Sequence, residues 1–179
     1  GSDTGFAAVA GAPFRCGVRA FDAFSNPQEY GLNRHTEQFS AQVYQNDAAV
    51  NLPLPIKILR SNDVFSLEAN MTVRGEYSLR VFLDGVSLGD LRVRINPAEL
   101  HLENSMAYGR GLSGAIAGEV STFTVEGKDR FYNTIPASQL AYSISTGLGE
   151  FDHRQAGDVL LVTYNYTLAG TYNLLIKLG

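Results

Sequence analysis

A single cysteine and no tryptophan are the first features of this 179-residue sequence. One thiol excludes an intrachain disulfide framework and any cysteine-based zinc site. No apolar run reaches about 18 residues, so no segment can cross a membrane as a helix. Fourteen basic residues stand against 18 acidic ones, a net charge of −4. With no basic block, this balance argues against nucleic acid or an anionic membrane surface as partner. Gly1-Ser2 reads as an expression scar, so the start is silent on a signal peptide. Apolar residues are plentiful: 45% of the chain is hydrophobic, enough for a packed core and too much for a disordered chain.

The pattern of those apolar residues sets the fold class. Eighteen glycines, six prolines, nine tyrosines and ten phenylalanines punctuate short alternating runs. No stretch sustains the i, i+3, i+4, i+7 spacing of an amphipathic helix. Val50, Leu52, Leu54, Ile56 and Ile58 alternate with polar or proline positions. The same holds for Phe65, Leu67, Ala69, Met71 and Val73, for Tyr77, Leu79, Val81 and Leu83, and for Leu91, Val93 and Ile95. Successive side chains of a strand point to opposite faces, so each set is one buried face of a half-exposed antiparallel sheet. The expectation is an all-β protein of immunoglobulin-like sandwiches.

Internal repetition predicts two of them. A shift of 107 carries Ala10-Gly11, Val18, Asp22, Phe24 and Asn26 onto Ala117-Gly118, Val125, Asp129, Phe131 and Asn133. A shift of 95 carries Asp63-Val64, Asn70, Thr72, Gly75, Tyr77, Leu79 and Leu83 onto Asp158-Val159, Asn165, Thr167, Gly170, Tyr172, Leu174 and Leu178. The first copy therefore holds extra residues, divided between a longer loop at 27–38 and a longer region after its third strand, with residues 39–43 matched to 140–144. Repeat 1 is expected over 3–96 and repeat 2 over 97–179, joined with almost no linker at Ile95-Asn96-Pro97-Ala98.

The second copy opens with Gly109-Arg110-Gly111-Leu112, then Ala117-Gly118-Glu119, Phe123-Thr124-Val125, Lys128-Asp129 and Asn133. Gly170-Thr171-Tyr172 follows later. This ordered set resembles the filamin-type immunoglobulin repeat, whose pattern runs G-x-G-L, A-G-E, F-T-I, D-x-x-G-N and G-x-Y. Ser25 and Tyr132 stand where that family carries glycine before asparagine, so a wider turn is expected there. The resemblance implies a non-enzymatic role in cytoskeletal or adhesive assemblies, and peptide binding by strand addition beside the third strand.

Catalytic constellations are missing. His35, His101 and His153 lie far apart, without paired carboxylates at ligand spacing, and read as surface residues rather than a metal site. Cys16 shares parity with Val18 and is expected to be an inert, inward thiol. Asp22 and Asp129 end the second strand, where a carboxylate caps a turn. There is no nucleophile elbow, no Walker sequence and no dinucleotide fingerprint, so no cofactor is expected. Most aromatic residues have inward parity, which argues against a sugar-binding platform.

Four features bear on partners. Arg80, Arg92 and Arg94 share the outer face of a hairpin and form a docking strip for an acidic partner or an ordinary solvated face. Asn70-Met71-Thr72 and Asn165-Tyr166-Thr167 are sequons, although 11 asparagines and 23 Ser or Thr give about 1.4 by chance. Glycans on Asn70 and Asn165 would place the chain outside the cell, like filamin-like ectodomains of gamete-adhesion proteins. The lone thiol tips the balance slightly toward a cytoplasmic, cytoskeletal or ciliary scaffold. Third, residues 50–58 read as one strand of repeat 1, with Pro53 and Pro55 blunting its edge. The groove lined by Tyr142, Ser143, Ile144 and Ser145 in repeat 2 is then the better site for a partner strand, and a proline at Ser143 should abolish binding. Last, repeat 1 has a seventh strand from Leu88 to Ile95, but repeat 2 stops at the equivalent of Leu83. Residues 170–178 should therefore form an unpaired strand whose open edge drives self-association or is covered by natural continuation.

Overall fold

The structure is a computed structural model that describes residues 5–19, 21, 24–26, 39–52, 55–61, 64–146 and 151–179. Among the described residues its regular structure is β-strand apart from three single-turn 3-10 helices, and it divides into two compact units, Gly1–Asn96 and Pro97–Gly179. Asp22, His35, Pro53 and the loop at 27–38 lie outside the described residues.

Unit 1 contains β1 (Phe6–Val9), β2 (Pro13–Val18), β3 (Phe39–Gln45), β4 (Ala48–Val50), β5 (Lys57–Ser61), β6 (Val64–Asn70), β7 (Gly75–Leu83) and β8 (Val86–Asn96). One sheet has the order β1-β8-β7-β3-β4 and the other β2-β6-β5. The β7–β8 turn is Asp84-Gly85, with φ of 50° and 79°, the mirror-image geometry that matches strand twist in two-residue hairpins. Asn46-Asp47 does the same for β3–β4. The alternating sets converge as expected: Phe65, Leu67, Ala69, Tyr77, Leu79, Val81, Val93 and Ile95 are all buried. Phe39 meets Phe65, ring centroids 4.3 Å apart. Val73 departs from the pattern and is exposed, because β6 ends at Asn70.

The single strand expected over 50–58 is two separate elements. β4 pairs with β3 and β5 pairs with β6, so the chain changes sheet in between. Asn51 and Leu52, and then Pro55 and Ile56, belong to neither strand. Alternation survives such a crossing because each half still buries one face; proline, lacking N–H, suits the segment where pairing stops.

Unit 2 contains β9 (Met106–Tyr108), β10 (Val120–Glu126), β11 (Tyr142–Thr146), β12 (Phe151–Ala156), β13 (Val159–Asn165) and β14 (Leu174–Leu178). Its sheets are β12-β13-β10-β9 and β11-β14, around Phe123, Val125, Leu160 and Val162. The repeats superpose in register. Cys16 opposes Leu67 in unit 1 as Phe123 opposes Val162 in unit 2, matching both shifts. Gly11 N–H donates to the Met71 carbonyl and Gly118 N–H to the Tyr166 carbonyl, each at 2.8 Å. Tyr77 and Tyr172 hydroxyls donate to the carbonyls of Val73 (2.8 Å) and Leu168 (2.7 Å), a corner common in such sandwiches. For the third strand the match moves by two residues, since Phe39 faces Leu83 and Tyr142 faces Leu178.

The turn after β10 is tight rather than widened. Ser25 and Tyr132 both adopt φ of 66°, the left-handed conformation glycine would take without strain. In unit 2 the turn is held by Asp129, fully buried at 0% exposure. Its carboxylate accepts N–H bonds from Ala98 (2.8 Å), Phe131 (2.8 Å) and Asn133 (2.9 Å), and one from Asn133 Nδ2 (2.8 Å). Burial alone would raise its pKa; the donors, led by the Asn133 side chain, outweigh burial and lower it.

Candidate functional site

Tyr142, Ser143, Ile144 and Ser145, the residues expected to line a partner groove, all lie on β11, which pairs with β14. Gly179 N–H donates to the Ala141 carbonyl at 2.9 Å. Given the register Ser143↔Lys177 and Ser145↔Leu175, antiparallel alternation makes these the hydrogen-bonded pairs. The N–H of Ser143 is therefore committed to β14. The backbone groups of Tyr142, Ile144 and Thr146 face the outer edge, so a proline probing that edge belongs at Ile144, not Ser143. The strand expected at 170–178 is shorter, beginning at Leu174, and is paired along one edge with β11. Its Leu174, Ile176 and Leu178 groups point to the opposite edge, which has no ladder partner among the described residues.

Beside that opposite edge lies a cleft of 810 Å³. One wall is β14 with Tyr172; the other is residues 112–117. Its floor is aromatic. Tyr164 and Tyr166 ring centroids lie 5.0 Å apart, Tyr166 and Tyr172 4.6 Å, and Phe151 stands edge-on to Tyr164 at 5.7 Å. The Gly109-Arg110-Gly111-Leu112 motif seats the far wall. A Cβ on Gly109 would stand 2.9 Å from Phe123 Cα, and one on Gly111 2.7 Å from the Thr122 carbonyl oxygen, so only glycine lets this turn lie against β10. The Tyr164 hydroxyl donates to the Gly111 carbonyl and pins it there.

Unit 1 has a smaller recess of 410 Å³ along its third strand, lined by Phe39, Val43, Leu52 and Ile58 among others. Gln42 Nε2 donates to the Val50 carbonyl at 3.1 Å across its β4 end. The edge judged less suitable from its prolines thus has a groove of its own.

The arginine strip is a ladder of cross-strand pairs. Arg80 opposes Asp90, with Nε 2.7 Å from Oδ1 and Nη2 2.9 Å from Oδ2. This bidentate contact holds the Asp90 carboxyl below the usual carboxylate range. Arg94 pairs with Glu76, and the Arg80 guanidinium lies 4.7 Å over the Tyr44 ring. Arg80, Arg92 and Arg94 share one sheet face as expected, but two carboxylates already neutralise much of their charge.

The sequons differ in setting. Asn165 is exposed at the end of β13. Asn70 is half-buried, and its Oδ1 is shielded from solvent. Cys16 is half-buried and burial raises its thiol pKa, away from the reactive thiolate. His153 stacks edge-on against Tyr142 at 5.2 Å, and His101 is half-buried. No group of three metal-ligating side chains occurs among the described residues. The cleft is not among the sites expected from the sequence, because its walls, residues 112–117 and β14 with Tyr172, lie far apart in the chain and only the folded sheet brings them together.

No family model matches the chain, and no curated protein matches it by sequence. Solved structures do. Invasin, a bacterial integrin-binding protein, aligns with a TM-score of 0.66 at 14% identity, over 92% of this chain and 32% of its own. InvD of Yersinia pseudotuberculosis gives 0.60 at 16% identity, over 99% and 51%. The Escherichia coli adhesin FdeC gives 0.55 at 14%, over 96% and 56%. The chain spans from a third to just over half the length of these structures. At such identity the likeness establishes the fold: this is a tandem of immunoglobulin-like β-sandwiches.

Proposed function

We propose that this chain is a non-catalytic protein-binding module of an adhesive assembly, which captures an extended partner segment by strand addition at the β11 edge. The observation that carries this reading is the outward set of backbone groups at Tyr142, Ile144 and Thr146. Ser143 and Ser145 anchor that strand to β14 from behind. An edge of this kind recognises a partner through main-chain hydrogen bonds and tolerates varied side chains. The adhesive setting draws support from invasin and FdeC, whose descriptions are integrin-binding protein and adhesin, and from the exposed Asn165 sequon. The ordered filamin-type motifs favour a second reading, in which the same edge serves a cytoskeletal or ciliary scaffold.

Selection of a random decapeptide library against the whole chain tests the binding mode. Alternating apolar sequences should be recovered, and Ile144→Pro should abolish their binding while leaving the circular dichroism spectrum unchanged. Recovery of no binders, or binders indifferent to Ile144→Pro and to extended conformation, would refute it. Mass spectrometry of natively produced protein separates the settings: a glycan on Asn165 belongs to the adhesive one, and an unmodified Asn165 in an intracellular pool to the scaffold.

A further inference from the structure

The two units treat the edge of their third strand differently. Residues 46–56 connect β3 to β5 and include β4, whereas the shorter 147–150 connect β11 to β12. β4 folds back on β3 through the Asn46-Asp47 turn, opposing Gln45 with Ala48, Tyr44 with Ala49 and Val43 with Val50. In a two-residue hairpin the pair flanking the turn is hydrogen-bonded, and alternation makes Val43↔Val50 the next such pair. Phe39 faces Leu83 as Tyr142 faces Leu178, so Ala41 and Val43 stand in the places of Ile144 and Thr146. β4 therefore sits on the backbone edge that β11 turns outward. Its hold is slight. It is three residues long, with Ala48 and Ala49 exposed and Val50 half-buried, so it buries little apolar surface. Its turn sets Asn46 and Asp47 at φ of 49° and 61°, a left-handed conformation that suits glycine better than aspartate. Past Val50 the chain leaves the edge, and the 410 Å³ recess lined by Ala41, Val43, Leu52 and Ile58 opens there.

We infer that β4 is a displaceable plug on a second strand-addition edge: an extended partner segment takes its place on β3, bonding at Ala41, Val43 and Gln45. This inference rests on the reading of β11 as such an edge. The plug itself shows the chemistry of its replacement. Val50 lies opposite the buried Val43, and Leu52 lines the recess beyond it, while Ala49 lies opposite Tyr44 on the other face. A replacing strand runs antiparallel to β3 and carries valine- or leucine-like residues at alternate positions. It crosses the recess where β4 stops, so it gains main-chain bonds at Ala41 that β4 does not reach. Tethered by two residues, β4 competes at high effective concentration. The wild-type edge therefore stays closed to a dilute partner, and unit 2 is occupied first.

Hydrogen exchange of the wild-type chain reads the plug directly. The amides of Val43 and Gln45, which face β4, should exchange at least about tenfold faster than those of Gln42 and Tyr44, which face β7. Equal protection would make β4 a permanent strand and overturn the inference. Asp47→Gly relieves the left-handed aspartate and should slow exchange at Val43 and Gln45 about threefold; no change there also overturns it. For binding, a random decapeptide library is panned against two chains. One is Ile144→Pro, with the β11 edge closed; the other adds Val50→Pro, which removes the N–H that ties β4 to Val43. The first should yield no binders, and the second alternating apolar binders, one per chain, that slow exchange at Ala41 and Val43. Binders on neither chain, or equally on both, overturn the inference. The two readings fail separately. Binders on the double variant but none on the wild-type chain would refute the β11 edge alone. Binders on the wild type that are lost in Ile144→Pro and not regained with Val50→Pro would refute the plug alone.

Discussion

Unit 1 surrounds β7 with strands on both sides, whereas the equivalent β14 of unit 2 has one ladder partner among the described residues. The consequence is read in the same residues of each repeat. Tyr77, Leu79 and Val81 are 6%, 1% and 7% exposed, while Tyr172, Leu174 and Ile176 are only half-buried. Their local sequences alternate alike, and both tyrosines make the same corner hydrogen bond. What separates them is one long-range strand. Burial in a sandwich is a property of the completed sheet, and an apolar residue in an incomplete one keeps part of its surface in water.

The largest test of this contrast is paired truncation. Leu79→Ala should cost about 3–4 kcal/mol in urea unfolding, because a fully packed side chain leaves a cavity. Leu174→Ala should cost only about 1–2 kcal/mol, since its site already opens on the cleft. Equal losses would show that the cleft is collapsed in solution.

Next in size, Asp129→Asn should destabilise unit 2 by about 2–3 kcal/mol, because several buried N–H groups lose a charged acceptor. The wild-type carboxyl has a pKa lowered in the folded state. Its contribution is therefore complete above the unfolded value of about 3.9 and is lost as pH falls through the lower folded value. Acid titration of unfolding should show this loss in the wild type and not in Asp129→Asn.

The corner hydrogen bonds come third. Tyr77→Phe and Tyr172→Phe should each cost about 1 kcal/mol, with Tyr77 the more costly because its side chain is buried while that of Tyr172 is half-buried, where water can replace the lost bond. A larger loss at Tyr172 would reverse the ranking of the two units. The smallest effect has the opposite sign. Tyr132 is 69% exposed and sits at φ of 66°, so Tyr132→Gly should stabilise unit 2 by about 0.5–1 kcal/mol. Thermal unfolding would show it as a modest rise in midpoint.

Much of the fold was legible before any coordinates. Phe65, Leu67, Leu79, Val81, Val93 and Ile95 were placed on buried faces by period alone, and all are buried. The register Cys16↔Leu67 and Phe123↔Val162 follows both internal shifts. Residues 50–58 show where this reasoning stops: the alternation there is real, yet the chain changes sheet partway. Ser143 shows the same limit at finer scale. It lies on β11 as expected, but its N–H faces β14, and alternation of side chains carries no information about which edge an amide addresses until a partner strand is known.

By itself, then, the sequence determined the strands, their inward faces, the repeat and the turns, because each depends on residues near one another in the chain. Asp84-Gly85 turns a hairpin and Asp129 caps a turn for local reasons. Only the tertiary structure decided which edges are shared and which are open. Phe6–Val9 becomes a strand because β8 lies beside it, while its counterpart at 113–116 has no ladder partner among the described residues and forms no strand. A strand's backbone hydrogen bonds are made to distant residues, so the state of an edge is settled where the chain returns, not where the edge is written.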